Sequence, residues 1–483
     1  MNDPHEVGCR PDRARHAVLG ATLLGVLVSG CALTPPPAHQ ANVAAALPAG
    51  TQVPGGWVSD AVAGPVTNGW LAELADPSLD ALVAEALRNN TDLRAAASRV
   101  IAAQQAAVVA GSRLYPWVGV NLGGNVTHDD GGTTNESSKA YLGVGWELDV
   151  WGRLRAERSA ADAGAEAVAL DYAWARQSLA ATVARLWYLN IEANQLVALA
   201  GAAVDVYQKL TDLVQVRTDA GKVSNLDLTF MRAKLESAQS NLEATRAAQA
   251  SARRGLETLL GRYPAAEIAV ADAFLPLAPP PEADVPGAML LRRPDLLAAE
   301  QRVLATFRQQ EAAELSLLPD FSLSLAGGRL GDQILTLLDV NPWLAAAGIG
   351  VNVPIYEGGR LDARVAIATA NQQAAVAAYG TAVLDAFREV ENALADDGYY
   401  AARVPWETRA LADRTDSVRI ATLQYTAGRL DLLWVGELQA AQIGNQQSLI
   451  TLQTMQRINR IRMYLALGSS YDVEPAAQVA AGP

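Results

Sequence analysis

The sequence predicts an α+β membrane protein built from two internal repeats. Each repeat supplies two strands of a transmembrane β-barrel and a pair of very long helices. Three observations predict this: the chain is written twice, four segments alternate between a greasy and a small or polar face, and two proline-poor stretches are too long for a globule.

The repeat comes first, because it orders everything else. Residues 92–100, "DLRAAASRV", match 295–303, "DLLAAEQRV", at an offset of 203 that Tyr115-Pro116 and Leu318-Pro319 keep. Gly152-Arg153-Leu154 then matches Gly359-Arg360-Leu361 at 207, as do Ala220-Gly221 with Ala427-Gly428 and Leu260-Gly261 with Leu467-Gly468. One small length change between 116 and 152 accounts for both offsets. Repeat 1 spans 78–261 and repeat 2 spans 287–468. A proline-rich connector, 262–286, joins them, and a tail, 469–483, follows. Length alone suggests about three domains; the repeat overrules it.

Within each repeat a helical stretch (78–111, 294–317) leads through a proline into alternating segments. In 117–127, Val118, Val120, Leu122 and Val126 oppose Gly119, Asn121, Gly123 and Asn125. In 139–150, Leu142, Val144, Trp146 and Leu148 oppose Tyr141, Gly143, Gly145, Glu147 and Asp149. In 320–329, Phe321, Leu323 and Leu325 oppose serines; in 343–355, Ile349, Val351, Val353 and Ile355 oppose Gly348, Gly350 and Asn352. Period two with one greasy face is a strand signature, and these lengths suit a tilted bilayer-spanning strand. Tyr115, Trp117, Trp151, Trp343 and Tyr356 cluster near the ends as an interfacial girdle would. A soluble sandwich also alternates, but it has no need of strands in two distant pairs, each feeding an overlong helix. Four strands cannot close a barrel, and an open edge is not tolerated in lipid. The barrel must therefore be shared between chains. Three chains give twelve strands, with Asn121, Asn125, Glu147, Asp149 and Asn352 toward the lumen.

From Arg155 to about Arg217 there is no proline, which makes a helix ~95 Å long. Its return helix carries a heptad seam, Leu228, Leu235, Leu242, Gln249, Leu256 with Met231, Ala238, Thr245, Ala252, Leu259. The second return helix is wetter, with Gln442, Asn445, Gln446, Gln456 and Asn459, which fits a solvated lumen face or an exposed outer surface equally. Pro405 falls inside the second long helix, where it should kink it. The long helices end at Ala220-Gly221-Lys222 and Ala427-Gly428-Arg429, glycine stop signals. Ser224 then reads as an N-cap with Asp227 in the first turn.

Residues 1–30 read as a signal peptide: Arg10, Arg13 and Arg15, an apolar run over 17–28, then Ser29-Gly30. Val28-Ser29-Gly30-Cys31 resembles a bacterial lipoprotein box, which implies a lipid on Cys31 and, with Ala32 following, an outer-membrane address. The alternative is an ordinary secretory signal with an incidental cysteine. Residues 31–77 are then a lipid-anchored linker and equatorial segment. Three bases and three acids leave with the signal, so the mature charge stays at −13, which disfavours nucleic acid. Only His39 and His128 remain, each in a linker or polar loop, and one cysteine, so no His-based triad, His metal cluster or CxxC can be assembled; neither an enzyme nor a metal or cofactor is expected. The loop 128–139, "HDDGGTTNESSK", should face outside; the loop 329–341 is more apolar and has no evident role.

The strings "DPSLDALVAEALRNNTDLRAA" from Asp76, "LLRRPDLLAAEQRV" (290–303), "PIYEGGRLDA" (354–363) and "YTAGRLDLLWVGELQAAQ" (425–442) resemble the TolC-like outer-membrane efflux channels, and the lipoprotein start resembles their NodT-type branch. The resemblance covers about 57–470. It implies a homotrimer, a twelve-stranded outer-membrane barrel continued by a helical tube through the periplasm, and an exit duct for small toxic compounds. It also implies a periplasmic adaptor and an inner-membrane RND-type transporter as partners. The tube's closed tip would lie at the two glycine turns, with Gly221, Lys222, Ser224 and Asp227 in one and Gly428 in the other. Tyr425 matches a tyrosine that helps hold the tip shut, and Glu437 an acidic gate residue. Trp434 stands where some members carry a second acid, which puts the double ring in doubt; Asp431 and Arg429 lie nearby. Two other readings stay open: a channel for type I protein secretion, and a lipid-anchored periplasmic coiled-coil tether, against which the four strands argue.

Overall fold

The computed structural model describes residues 33–132, 134–331 and 343–473. Cys31 and most of the loop 329–341 lie outside the described residues. In chain order the elements are α1 (His39–Ala46), β1 (Val62–Ala63), α2 (Trp70–Glu73), α3 (Pro77–Asn89), α4 (Thr91–Ser112), β2 (Trp117–His128), β3 (Thr134–Leu148), α5 (Arg153–Asp219), α6 (Asn225–Leu259), β4 (Glu282–Ala283), α7 (Pro286–Met289), α8 (Pro294–Leu315), β5 (Asp320–Gly331), β6 (Leu344–Asn352), α9 (Arg360–Thr426) and α10 (Leu432–Ala466). The chain forms two compact units, and both repeats contribute to each.

The first unit holds the antiparallel sheet β2-β3-β5-β6. Its greasy face is open: Val118, Val120, Leu122, Leu142, Leu325, Ile349 and Val351 are all exposed. Two bounds differ from expectation by three residues or more. β3 starts at Thr134, because the pairs Thr127↔Asn135 and His128↔Thr134 zip most of the polar loop into the hairpin. His128 thus ends a strand, its Nδ1 3.1 Å from Thr134 Oγ1, rather than lying in a loop. β6 stops at Asn352, two residues before Pro354, which has no N–H to give. Trp117 also departs from the girdle. It shares the glycine face, and its ring covers Gly143 and Gly145. Trp146 and Trp151 instead anchor their Nε1 to the carbonyls of Leu114 and Pro319, at 3.0 and 2.8 Å. In the same unit, the segment after Leu33 is stapled to α8. Thr34 N donates to Glu311 at 2.7 Å, Arg308 donates to Thr34 O at 2.8 Å, and His39 lies 2.7 Å from Glu300.

The second unit is built around Trp70, Leu79, Trp187, Ile191, Leu256, Leu260 and Tyr464. The helical stretch 78–111 is two helices. Asn90 adopts ψ 125° between α3 and α4, caps α4 by accepting from Leu93 N, and donates to Leu259 O at 3.0 Å. Its counterpart in repeat 2 is Arg293, before Pro294. Arg293 is buried, ion-paired with Asp295 and Glu389, and stacked 5.0 Å over Trp174. The return helices end alike: Gly261 and Gly468 both have φ 76°. Each backs onto the same repeat position, a built Cβ meeting Asn89 O at 3.0 Å in one case and Arg292 Cβ at 3.2 Å in the other.

Three helical expectations can be compared with the structure. The α6 seam is its covered face: all ten seam residues are buried or half-buried, with Leu228, Met231 and Leu256 buried. Pro405 lies inside α9, as the sequence places it, and the helix continues past it to Thr426 over 67 residues. The polar residues of α10 include two that are neither solvated nor outward. Asn445 and Asn459 are buried and donate to Glu407 (2.5 Å) and Ala393 O (2.8 Å) of α9. At these two positions wetness in the sequence marks polar packing between helices, whereas Gln446 is exposed.

Candidate functional site

The two turns that follow the long helices come together in the second unit, and their chemistry is local and repetitive. Gly221 (φ 67°) and Gly428 (φ 71°) occupy the left-handed region that suits glycine. Each ends its helix in a Schellman arrangement: Lys222 N donates to Arg217 O at 2.9 Å and Gly221 N to Thr218 O at 2.8 Å, while Arg429 N donates to Gln424 O at 2.8 Å and Gly428 N to Tyr425 O at 3.0 Å. Each return helix then starts on a capping side chain. Ser224 Oγ accepts from Leu226 N at 3.1 Å, and Asp227 closes a reciprocal capping box on Ser224 N. Asp431 takes Ser224's place in repeat 2, accepting from Leu433 N at 3.0 Å. Its carboxylate caps the start of that helix.

Between the turns lies a small core of Val214, Leu228, Met231, Ala421, Tyr425, Leu432 and Val435. Tyr425 is 4 % exposed and its hydroxyl is buried without a hydrogen-bond partner. Arg217 crosses from the first long helix to the end of the second. Its guanidinium sits 4.4 Å from the Tyr425 ring centroid and donates to the carbonyls of Tyr425 and Thr426 at 3.4 and 3.3 Å. A cation at a helix C-terminus also meets the negative end of the helix dipole. Glu437 is paired with Lys234 of α6 at 2.9 Å, and the ammonium lies 5.2 Å from the Phe230 ring centroid. Burial raises the Tyr207 hydroxyl pKa above the ordinary tyrosine value, and the Glu437 charge adds to the rise. Around this core Val216, Leu226, Leu423 and Trp434 are exposed, as are Lys222 and Arg429.

The structure therefore joins Tyr425, Glu437 and both glycine turns in one place and adds Arg217 and Lys234. Sequence reading missed these two because their repeat counterparts are Gln424 and Ala441, so neither recurs. The five residues placed toward a lumen are a separate group. Asn121, Asn125 and Asn352 lie on strands, the first two on the glycine face of β2. Glu147 is tied to Arg153. Asp149 lies one residue past β3, where it accepts from Leu154 N (2.9 Å) and Arg155 N (3.0 Å); this carboxylate anchors the start of α5. Among the described residues no group of three His, Cys, Asp or Glu could hold a metal ion, and no helix is long and apolar enough to cross a membrane. The arrangement is mechanical: two helical hairpins fastened at their turns by one arginine and one ion pair.

Comparison with known proteins covers nearly the whole chain. The family model described as outer membrane efflux protein matches residues 82–262 and 285–469, the two repeats. The pyoverdine export outer membrane protein OpmQ of Pseudomonas putida is 30% identical over 95% of this chain and 98% of its own. The toluene efflux pump outer membrane protein TtgF of Pseudomonas putida is 28% identical over 93% and 96%. Among solved structures, the outer membrane protein VceC of Vibrio cholerae superimposes with a TM-score of 0.77 at 23% identity, covering 84% of this chain and all of that one.

Proposed function

The chain belongs to the outer membrane efflux protein family, and from that premise we propose how it serves as the outer-membrane channel of an efflux pump. Three copies share one twelve-stranded barrel, and the long helices carry the duct into the periplasm. The protein performs no chemistry of its own. A periplasmic adaptor and an inner-membrane RND-type transporter supply the energy and engage the paired turns. Cys31 carries a lipid that adds to the barrel's hold on the membrane. Small toxic compounds are the cargo; the relatives' names, pyoverdine export and toluene efflux, support that class. The observation that carries the reading is the match of the family model to both repeats.

The paired turns are the gate in this reading. Arg217 on Tyr425 and Lys234 on Glu437 hold the two hairpins together; Trp434, Arg429 and Asp431 rim them. Glu437 is partnered within its own chain, so three copies present ion pairs rather than a bare acidic ring. Deleting the gene should raise accumulation of small toxic compounds, and the wild-type chain should restore export. A deletion strain unchanged across a broad panel of such compounds would overturn the efflux assignment. The pair Arg217→Ala, Lys234→Ala should let large antibiotics leak inward through an otherwise assembled channel. Unchanged leak would remove the gate from this place.

A further inference from the structure

The string "LLRRPD" (290–295) holds two adjacent arginines with different fates. Arg293 is buried and has its charge answered by Asp295, Glu389 and the Trp174 ring. Arg292 is half-buried and lines a cleft of about 460 Å³ in the second unit. Leu170, Ala173, Arg176 and Gln177 of α5 line it too, at spacings that keep them on one helix face. Pro294 at the start of α8 and the segment after α10, which includes Ser470, Tyr471 and Asp472, complete the lining.

Two positive charges share this cleft without an anion. Arg176 donates to the Tyr471 hydroxyl at 2.7 Å, and Arg292 donates to Asn68 Oδ1 at 3.2 Å. Neither makes an ion pair among the described residues. Asp472 is the one carboxylate of the lining among the described residues, and it is exposed. Two guanidinium charges against one carboxylate leave the cleft positive, in a chain whose net charge is −13. A guanidinium carries five N–H donors, and each of these two spends one on a neutral oxygen. Gln177 adds the opposite need: its Oε1 is buried with no hydrogen-bond partner among the described residues.

The repeat serves as an internal control. At its own offsets the counterparts of Arg176, Arg292 and Tyr471 are Val383, Asn89 and Pro264. The second long helix is thus built with a buried valine where the first carries an arginine. The helix pair does not require the charge, and the cleft has no second copy in the chain.

We infer that the cleft binds a small organic anion, with a carboxylate or phosphate on Arg176 and Arg292 and an apolar body against Leu170, Ala173 and Pro294. A guanidinium fork matches either oxyanion, and the volume is that of a small-molecule site rather than of a bare ion. A hydroxyl or amine on the body would satisfy Gln177. Such a ligand would bridge α5, the turn before α8 and the segment after α10. The inference does not rest on the efflux reading.

Isothermal titration of the purified protein in a non-ionic detergent tests it. Benzoate and phenyl phosphate are the two oxyanions, and benzyl alcohol is the neutral body. The expected result is saturable binding of at least one anion and none of the alcohol; the tighter anion tells carboxylate from phosphate. Arg176→Gln and Arg292→Gln should each weaken that binding by about tenfold or more. Arg409→Gln, whose guanidinium lies on the exposed Trp406 ring, should leave it unchanged. Phenylglyoxal labelling of the wild type, read by mass spectrometry, reports the same site without a substitution. Saturating anion should slow modification of Arg176 and Arg292 and not of Arg409. Binding of neither anion, equal binding of the alcohol, or labelling of both cleft arginines at the same rate with and without anion would overturn the site. So would anion binding that both arginine variants keep at wild-type strength.

Discussion

Arg217 shows how one side chain can hold two helices that the sequence writes 200 residues apart. It offers a stacked cation to Tyr425 and two N–H donors to carbonyls at the end of α9. Cation–π stacking at a partly exposed site is worth about 0.5–1 kcal/mol, and a hydrogen bond from a charged group about 1.5 kcal/mol or more. Arg217→Ala should therefore cost about 2 kcal/mol of local stability. Amide hydrogen exchange over 421–430 should rise by more than tenfold, with Arg217→Lys regaining only part, since an ammonium keeps the charge and loses the planar stack. Exchange that stays at the wild-type rate in the alanine variant would mean the contact carries no load. Glu257 is a second residue whose role is invisible in the sequence. It is buried, and burial alone would raise its pKa. Backbone N–H donors from Ala266, Ile268 and Glu267, with Arg262 nearby, outweigh that and hold it below the ordinary glutamate value. A folded-state pKa below the unfolded one stabilises the protein above the unfolded value, and that contribution fades as pH falls through the folded one. Glu257→Gln should lower the melting temperature at pH 7, and the gap from wild type should close as the pH drops below about 4.

At the scale of elements, glycine position decides what the same backbone geometry costs. Gly221 and Gly261 have similar left-handed φ values, 67° and 76°, and both end a helix segment. A Cβ at Gly221 meets nothing within 4 Å, whereas at Gly261 it meets Asn89 O at 3.0 Å. Gly221→Ala should cost only the conformational penalty, about 1–2 kcal/mol. Gly261→Ala should cost more, because the α3 end must also shift; equal losses in denaturant titration would show that the close approach is soft. The sequence made both glycines legible as repeat marks and did not make this difference legible, since spacing carries no information about what faces a turn. The α6 seam was legible for the opposite reason: a heptad states its own packing face. The break at Asn90 was missed, because α3 and α4 share one composition and the break shows itself only in the cap on Leu93 N and the tertiary bond to Leu259 O.

The whole molecule was legible where the repeat speaks and opaque where the two repeats diverge. Four strands, two 67-residue helices and the connector follow from offsets and period. Trp117 over glycine, Asp149 on a helix start, and the buried amides of α10 depend on contacts that no periodicity encodes. The repeat also invites a wrong conclusion, that half the chain is a domain. The sheet contradicts it: the junction β3·β5 lies between repeats and is the centre of the four strands. One repeat alone keeps a two-stranded hairpin, marginal by itself. Both compact units draw residues from both halves, so neither half retains a whole core. The connector is a different matter, since Pro279 and Pro280 are exposed and follow no helix or strand. A chain cut between those two prolines should therefore still assemble when both pieces are co-expressed and exported, while either piece alone should be degraded. The measurement is the native mass of the outer-membrane fraction in mild detergent. Equal amounts of both pieces at the intact protein's native mass would show that the connector only delivers the second repeat to the first. A stable single piece would mean that one repeat folds unaided, and the paired sheet would then be a consequence of assembly rather than its condition.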